Sequence, residues 1–297
     1  MSAKDYEVLI IGAGVIGLAI ARSLAEYKYQ SVLVIDKNEG IGQGISSRNS
    51  EVIHSGIYYP KNSYKAKYCI KGRNLLYDFC DNHNIWYKKT GKIIIAKNEQ
   101  KSKIENLFNN AINNGVKEVK IIFKNEIRKL EPDINGDIGL LINCSGILSS
   151  HELMSSFYRI SQNQEHDYLF KSKALSSKRV DGGYKTKIEN AKGAVETVTS
   201  KWVINCGGLQ SDINANMVVN DLELPKIIFS KGCYFKLAPR WRNRFKHLVY
   251  PLPDEKNMSL GIHITFDQSG MVKLGPNAFI LNNNIEDYNV DENLSKL

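Results

Sequence analysis

No apolar run in this 297-residue chain approaches the roughly 20 residues that a membrane-crossing helix requires. The expectation is therefore a chain without a transmembrane segment. Apolar strand character begins within a few residues of Met1, so no signal or transit peptide is expected. The expected location is cytoplasmic, with peripheral contact to the inner membrane left open. Cysteine is sparse: Cys69, Cys80, Cys144, Cys206 and Cys233 are scattered, odd in number, and form no Cys-x-x-Cys pair. That argues against a disulfide framework or a zinc site, and no metal is expected. Internal repeats and low-complexity linkers are missing too. So is any compact basic tract: the net charge is +9, but the lysines are spread along the chain without interleaved aromatics. A nucleic-acid partner is not expected. A solvated basic surface that attracts a small anionic substrate fits the distribution better.

What remains is an ordinary globular composition, 42% hydrophobic and 24% charged, in a chain long enough for one large or two intertwined domains. The most informative stretch is Tyr6 to Ser50. An apolar run, Val8 to Ile11, is followed by Gly12, Gly14 and Gly17 in Gly-x-Gly-x-x-Gly spacing, then by a helical pattern, and then by a second apolar run ending at Asp36. Gly12 would make the turn out of the strand, Gly14 would let the backbone approach a pyrophosphate, and Gly17 would let the helix pack on the sheet. The helix N-terminus supplies unpaired N–H groups to phosphates, and Asp36 can accept hydrogen bonds from a ribose. Three glycines alone are a weak signal. Strand, helix and acid in the required order point to a dinucleotide site without saying which dinucleotide.

Periodicity predicts a helix over Tyr64 to Asn84, a strand over Lys92 to Ala96, a helix after Asn98, and strands at Val116 to Phe123 and Ile138 to Ile142. Ser149 and Glu152 have capping-box spacing for a helix from Ser150 to about Gln162. Strands at Tyr168 to Leu175, Tyr184 to Glu189 and Val195 to Val198 follow, with Asp181-Gly182-Gly183 as a turn. Lys201 to Asn205 is an apolar-centred strand running into Cys206-Gly207-Gly208. Strand regions at Ile227 to Leu237 and Ser259 to Leu274 flank Tyr250 to Pro253. The alternation of a βαβ start with strand-rich blocks predicts two domains that exchange chain segments.

Several stretches together resemble flavoproteins of the amino-acid-oxidase-like (DAO) superfamily, and within it the L-2-hydroxyglutarate dehydrogenase/oxidase group. They are SSRNSEVIHSGIYYPKNSYKAKYCIKGRNLLYDFC from Ser46, TGKIIIA from Thr90, WVINCGGLQSD from Trp202, and YPLPDEKNMSLGIHITFDQSGMVKLGPNA from Tyr250. They occur in the family's order across nearly the whole chain. The resemblance implies an α/β fold (α+β overall): a Rossmann-like FAD-binding domain, 1–85 and 145–220, interleaved with an antiparallel-sheet substrate domain, 86–144 and 221–280, and a polar tail, 281–297. It selects FAD as the cofactor. Candidate FAD-binding residues are Gly12, Gly14, Gly17, Asp36, Lys37, Ser46, Ser47, Arg48, Asn49, Gly207 and Gly208.

The implied activity is oxidation of a small 2-hydroxy acid, L-2-hydroxyglutarate first, with quinone or oxygen as electron acceptor. Amino-acid or glycerol-3-phosphate oxidase-like activity is the alternative. His54 is the candidate base for the hydroxyl proton, because a neutral imidazole suits that task near pH 7; a structural histidine or a flavin attachment point is the competing reading. Tyr58, Lys231 and His263 are candidate substrate residues, with Lys65 a further cation. Lys231 stands where the group mostly carries Arg, and Glu51 where its members have Gly. The family also runs about a hundred residues further, through a strand and a glycine loop that close over the flavin. A non-catalytic remnant, or half of a split flavoprotein, is therefore the second expectation.

Overall fold

The structure is a computed structural model that describes residues 4–218, 224–253, 261–281 and 285–290. Its chain divides into two units, each assembled from separated segments. Unit 1 comprises Met1–Asn49, Ser150–Phe229 and Asn284–Glu286; unit 2 comprises Ser50–Ser149, Ser230–Asn283 and Asp287–Leu297.

Unit 1 begins with β1 (Tyr6–Ile11), α1 (Val15–Glu26) and β2 (Val32–Ile35). The inner residues of both strands are apolar and buried, as expected of parallel strands covered on both faces. The chain then leaves for unit 2. There it forms β3 (Val52–Ile53), α2 (Tyr64–His83), β4 (Tyr87–Lys88), β5 (Lys92–Ala96), α3 (Lys101–Asn113), β6 (Val119–Phe123), α4 (Lys124–Leu130), β7 (Ile138–Ile142) and β8 (Gly146–Leu148). It returns to unit 1 with α5 (Ser150–Gln162), β9 (Asp167–Leu169), β10 (Lys173–Val180), β11 (Gly183–Glu189), β12 (Val195–Asn205) and α6 (Ser211–Asn216). The last visit to unit 2 adds β13 (Ser230–Lys231), β14 (Phe235–Lys236), β15 (Leu248–Pro251), β16 (His263–Phe266), β17 (Val272–Gly275) and β18 (Phe279–Ile280).

The unit 1 sheet has the order β10-β11-β12-β1-β2-β9, in which β12, β1, β2 and β9 run parallel. α1 packs with its Gly17, Leu18, Ala21 and Ala25 side buried, and its neighbour is α5. The strands expected at Val195 to Val198 and Lys201 to Asn205 are one strand, β12. Its first half pairs antiparallel with β11 and its second half parallel with β1, the exchange falling at Ser200. A break in the sequence pattern there reflects a change of partner, not a turn. The Asp181-Gly182 hairpin joins β10 to β11 as expected, with Gly182 at φ +67°.

Unit 2 holds a seven-stranded sheet, β14-β17-β16-β15-β5-β7-β6, antiparallel except between β15 and β5. A small sheet, β3-β8-β4, and the pair β13-β18 complete it. Its core includes Ile57, Ile94, Ile104, Leu140, Ile142, Leu248 and Tyr250. The expected long strands at Ile227 to Leu237 and Ser259 to Leu274 are each split in two. β13 and β14 belong to different sheets, and β16 and β17 form a hairpin closed by Asp267; residues 259–260 lie outside the described residues.

Residues 50–85, expected with the first domain, group with unit 2. α2 explains this: Arg73 donates to the Ser55 carbonyl and to Cys144 Sγ, and the Tyr77 hydroxyl donates to the Cys144 carbonyl. Among the described residues no helix is long and apolar enough to cross a membrane, and no cluster of His, Cys, Asp or Glu could hold a metal ion.

Candidate functional site

In unit 1, the carboxyl ends of β12, β1 and β2 bring together Gly207, Gly12 and Asp36. β2 lies on one side of β1 and β12 on the other, so β1 sits at a switch point of the kind where ligands bind in open parallel sheets. Gly12 has φ +110°, and a Cβ there would stand 2.3 Å from the Cys206 carbonyl oxygen. A Cβ on Gly17 would stand 1.9 Å from the Gly12 carbonyl oxygen, so α1 approaches the turn as only glycine permits. Gly14 differs. Its backbone is extended, and the nearest atom to a Cβ is Ser46 Oγ at 3.0 Å.

α1 begins at Gly14 with no side-chain cap and no acid in its first turn. The positive end of its dipole is therefore uncompensated. Ser46 Oγ accepts from the Val15 N–H at 3.0 Å, and Gly42 N–H donates to the Ala13 carbonyl, which docks the 42–46 loop on the turn. The Asp36 carboxylate accepts one N–H on each oxygen, from Ala13 and from Asn38, both at 2.8 Å. One acceptor direction per oxygen is left over. Gly208 has φ +57° with nothing nearer than 4.0 Å to a Cβ.

The other candidate cofactor residues spend their polar groups inside the protein. Arg48 Nη1 donates to the Gln43 and Gly44 carbonyls, Asn49 Nδ2 to the Ser46 carbonyl, and Ser47 Oγ to the Gly44 carbonyl. These bonds shape the loop. Lys37 pairs with Glu286 at 2.6 Å, and Glu286 also accepts from Gln210.

Unit 2 brings His54, Tyr58 and His263 into one neighbourhood, together with Lys92 and Tyr250. The Ser55–Tyr59 loop is held by α3: Asn110 Nδ2 donates to the Ile57 and Tyr59 carbonyls, and Asn114 Nδ2 to those of Gly56 and Tyr59. Gly56, at φ +91°, packs against Ile70 of α2. Tyr58 is thereby fixed between anchored carbonyls. His263 stacks on Tyr250 with ring centres 3.9 Å apart, and its Nδ1–H donates to the Gly261 carbonyl at 2.9 Å. That bond fixes the tautomer and leaves Nε2 as an acceptor.

Lys92 is fully buried, with Nζ 3.9 Å from the centre of the Tyr250 ring and 5.4 Å from that of Tyr58. Burial pushes its amine down to about 7, the Cys69 and Cys144 thiols opposing the shift. Burial, then the charges of Lys92 and His263, pushes His54 down to about 3. Burial likewise pushes His263 to about 4 against its bond to Gly261, with Lys92 a lesser cause. Both imidazoles are neutral at pH 7.

Lys231 lies apart from this group in its bonding: it pairs with Asp287 at 2.5 Å. Lys65 is exposed on α2, and Glu51 has φ +58°. Glycine, which the resemblance places at position 51, would adopt that backbone without strain.

The sequence profile of the FAD dependent oxidoreductase (DAO) family matches residues 7–296. The mitochondrial L-2-hydroxyglutarate dehydrogenase of Pongo abelii is 33% identical over 290 residues, covering 94% of this chain and 68% of that protein. The chain belongs to the FAD-dependent oxidoreductase family. The Caenorhabditis elegans mitochondrial L-2-hydroxyglutarate dehydrogenase is 35% identical over 279 residues, covering 93% of this chain and 64% of that one. Among solved structures, the dithionite-reduced L-alpha-glycerophosphate oxidase of Mycoplasma pneumoniae, with FAD bound, superposes with a TM-score of 0.83. It is 25% identical, over 94% of this chain and 72% of that one. The chain thus spans roughly two thirds of the length of these relatives.

An FAD-family cofactor fits the unit 1 edge on the structure's own terms. The turn is closed to any side chain at Gly12 and Gly17, while a Cβ at Gly14 would meet only the Ser46 side chain and one at Gly208 nothing nearer than 4.0 Å, beside an uncapped helix start and a carboxylate with spare acceptor capacity. Two residues of the unit 2 group were not candidates from sequence. Lys92 reads as the first residue of a strand, and Tyr250 as one of 15 tyrosines. The only sequence signal for them is that the two FAD-dependent oxidoreductase stretches quoted above, from Thr90 and from Tyr250, contain them.

Proposed function

We propose that this chain binds FAD through unit 1 and oxidises a small 2-hydroxy acid, L-2-hydroxyglutarate, through residues of unit 2. The observation that carries the substrate is the 33–35% identity to L-2-hydroxyglutarate dehydrogenases along almost the whole chain. The Gly12–Gly17 turn and the α1 N-terminus would hold the pyrophosphate, and Asp36 a ribose. When bound, the flavin supplies a hydride acceptor for the carbon that carries the hydroxyl.

The chain's own part is proton transfer and orientation. His54 is neutral at pH 7, and no described group is hydrogen-bonded to its ring, so a ring nitrogen is open to the hydroxyl proton. Its low basicity in the free protein comes partly from Lys92, and an anionic substrate beside Lys92 would relieve it. Quinone or oxygen would take the electrons, and FAD with a small anion are the partners proposed.

The test begins with colour. Purified protein supplied with FAD is expected to be yellow and to bleach anaerobically with L-2-hydroxyglutarate. Bleaching by sn-glycerol 3-phosphate or by an amino acid instead would replace the substrate and keep the flavin. Protein that stays colourless in excess FAD would leave the non-catalytic reading standing. His54→Ala is expected to keep the flavin spectrum and lose about 10²–10⁴-fold in bleaching rate. An unchanged rate would remove His54 as the base.

A further inference from the structure

Four polar side-chain atoms of unit 2 are sealed from solvent with no hydrogen-bond partner among the described residues: Lys92 Nζ, Tyr58 Oη, Tyr250 Oη and His263 Nε2. They belong to one packed group. Lys92 Nζ lies over the Tyr250 ring and nearer to it than to Tyr58, while His263 stacks on that same Tyr250 ring. Folded proteins leave few buried polar groups unpaired, because each forfeits its bonds to water. Four such atoms in one group call for a ligand that would partner them.

Their chemistry says what kind of ligand. The amine and the two phenols offer donors, and His263 Nε2 offers the one fixed acceptor. The charged groups acting on Lys92 are the Cys69 and Cys144 thiols; those acting on His54, His263 and Tyr250 are Lys92, His263, Tyr58 and Tyr234. Behind Cys144 stand Arg73, bonded to its Sγ, and Glu118. Among the described residues no carboxylate acts directly on Lys92, His54, His263 or Tyr250. A buried amine set over two tyrosine rings, with no counter-ion among the described residues and two unpartnered phenols in the same group, is complementary to a carboxylate, and the lone acceptor suits a ligand that also carries a donor.

We infer that Lys92, with the Tyr58 and Tyr250 hydroxyls, receives a carboxylate of the substrate. The inference rests on the proposal that the substrate is a small 2-hydroxy acid. Lys92 is well suited to discriminate such an acid from an uncharged alcohol: an uncharged ligand leaves a buried amine unpaired, whereas a carboxylate satisfies it. With its amine near 7 in the free protein, Lys92 is mostly neutral at pH 8, so an arriving carboxylate draws a proton from solvent onto it.

Glutarate is the probe, since it lacks the 2-hydroxyl and is not turned over. Titration calorimetry of the flavin-loaded protein at pH 8, in HEPES and in Tris, is expected to show glutarate binding with uptake of nearly one proton, and no binding of glutaramide. Lys92→Met is expected to weaken glutarate by about thirty-fold or more, to abolish proton uptake, and to leave the flavin absorbance unchanged. If Lys92→Met does not fold, the Tyr58→Phe/Tyr250→Phe double variant decides: it keeps both rings and should lose binding several-fold. The inference fails if wild-type protein does not bind glutarate at millimolar concentration, if it binds without proton uptake, or if Lys92→Met binds within threefold of wild type. Colourless protein that still binds glutarate with proton uptake overturns the flavin reading and supports this one. Protein bleached by L-2-hydroxyglutarate whose Lys92→Met variant keeps its KM overturns this one alone.

Discussion

Alanine at Gly14 and alanine at Gly17 separate a glycine that serves a ligand from one that serves the fold. At Gly17 the new Cβ would lie 1.9 Å from the Gly12 carbonyl oxygen, so α1 or the turn must move by more than an ångström. Forced packing of this kind costs about 1–3 kcal/mol or more, a large part of a typical stability of about 5–15 kcal/mol. At Gly14 the backbone is extended, at φ −76° and ψ 179°, which alanine adopts freely. The gain from a less flexible unfolded chain, about 0.4–1 kcal/mol, is set against crowding of Ser46 Oγ and its bond from Val15, worth about 1 kcal/mol. The net change should lie within about 1 kcal/mol. The ligand side reverses the order: a methyl at Gly14 intrudes where the pyrophosphate would approach. One charge-assisted hydrogen bond is worth about 1.5–3 kcal/mol, so FAD affinity should fall about tenfold or more. Urea unfolding of the FAD-free proteins and fluorescence titration with FAD measure the two quantities. If Gly14→Ala unfolds as readily as Gly17→Ala, or holds FAD as tightly as wild type, the assignment of Gly14 to the pyrophosphate is wrong.

Two further outcomes follow from unit 2. His54 and His263 have folded-state pKa values of about 3 and about 4, below the ordinary value of 6.5, so the unfolded chain binds more protons as the pH falls through 6.5. Their contribution is present above that value and is lost on acidification, at about 2 kcal/mol for each histidine between pH 6.5 and 5; equal urea stability at pH 7 and pH 5 would refute it. Buried Glu131 accepts from the Lys246 and His247 N–H groups and pairs with His247 Nδ1, all at Oε1 within 2.8 Å. Glu131→Ala should therefore cost about 3 kcal/mol in urea unfolding while leaving FAD affinity unchanged.

The βαβ start of unit 1 was legible in the sequence because its signals are local. Apolar runs, helical spacing and three glycines occupy thirty consecutive residues, and the strands they specify pair with one another. The last part of the chain was harder to read for a physical reason. β13 to β18 are short, and outside the β16–β17 hairpin and the β15–β16 pair their partners lie farther away in sequence: Ser230 pairs with Ile280, and Leu248 with Lys92. Short strands carry little periodicity, and nothing near Lys92 announces that β15 will lie beside it. Residues 50–85 went to the wrong side of the boundary in the sequence reading for a similar reason. The motif they carry continues the cofactor loop in sequence, while the bonds from Arg73 and Tyr77 tie them to Ser55 and Cys144.

Charge shows most clearly what a sequence reading can and cannot supply. With a net charge of +9 the chain has many cations to offer an anion; position beside the glycine motif singled out Lys37 and Arg48, and the family resemblance Lys231. In the fold Lys37 meets Glu286, Arg48 meets the carbonyls of its own loop, and Lys231 meets Asp287. Each cation is compensated internally, and a ligand would have to compete for it. Among the described residues Lys92 has no such counter-ion, and the cause is its position in the sheet. As the first residue of β5 it would be expected to reach solvent, but β5 lies between β15 and β7 in the interior of seven strands. The described neighbours that bury it contribute rings and thiols and no carboxylate. An anion site is located by a missing counter-charge, not by an abundance of positive charge. That absence becomes visible only once the strands are in order.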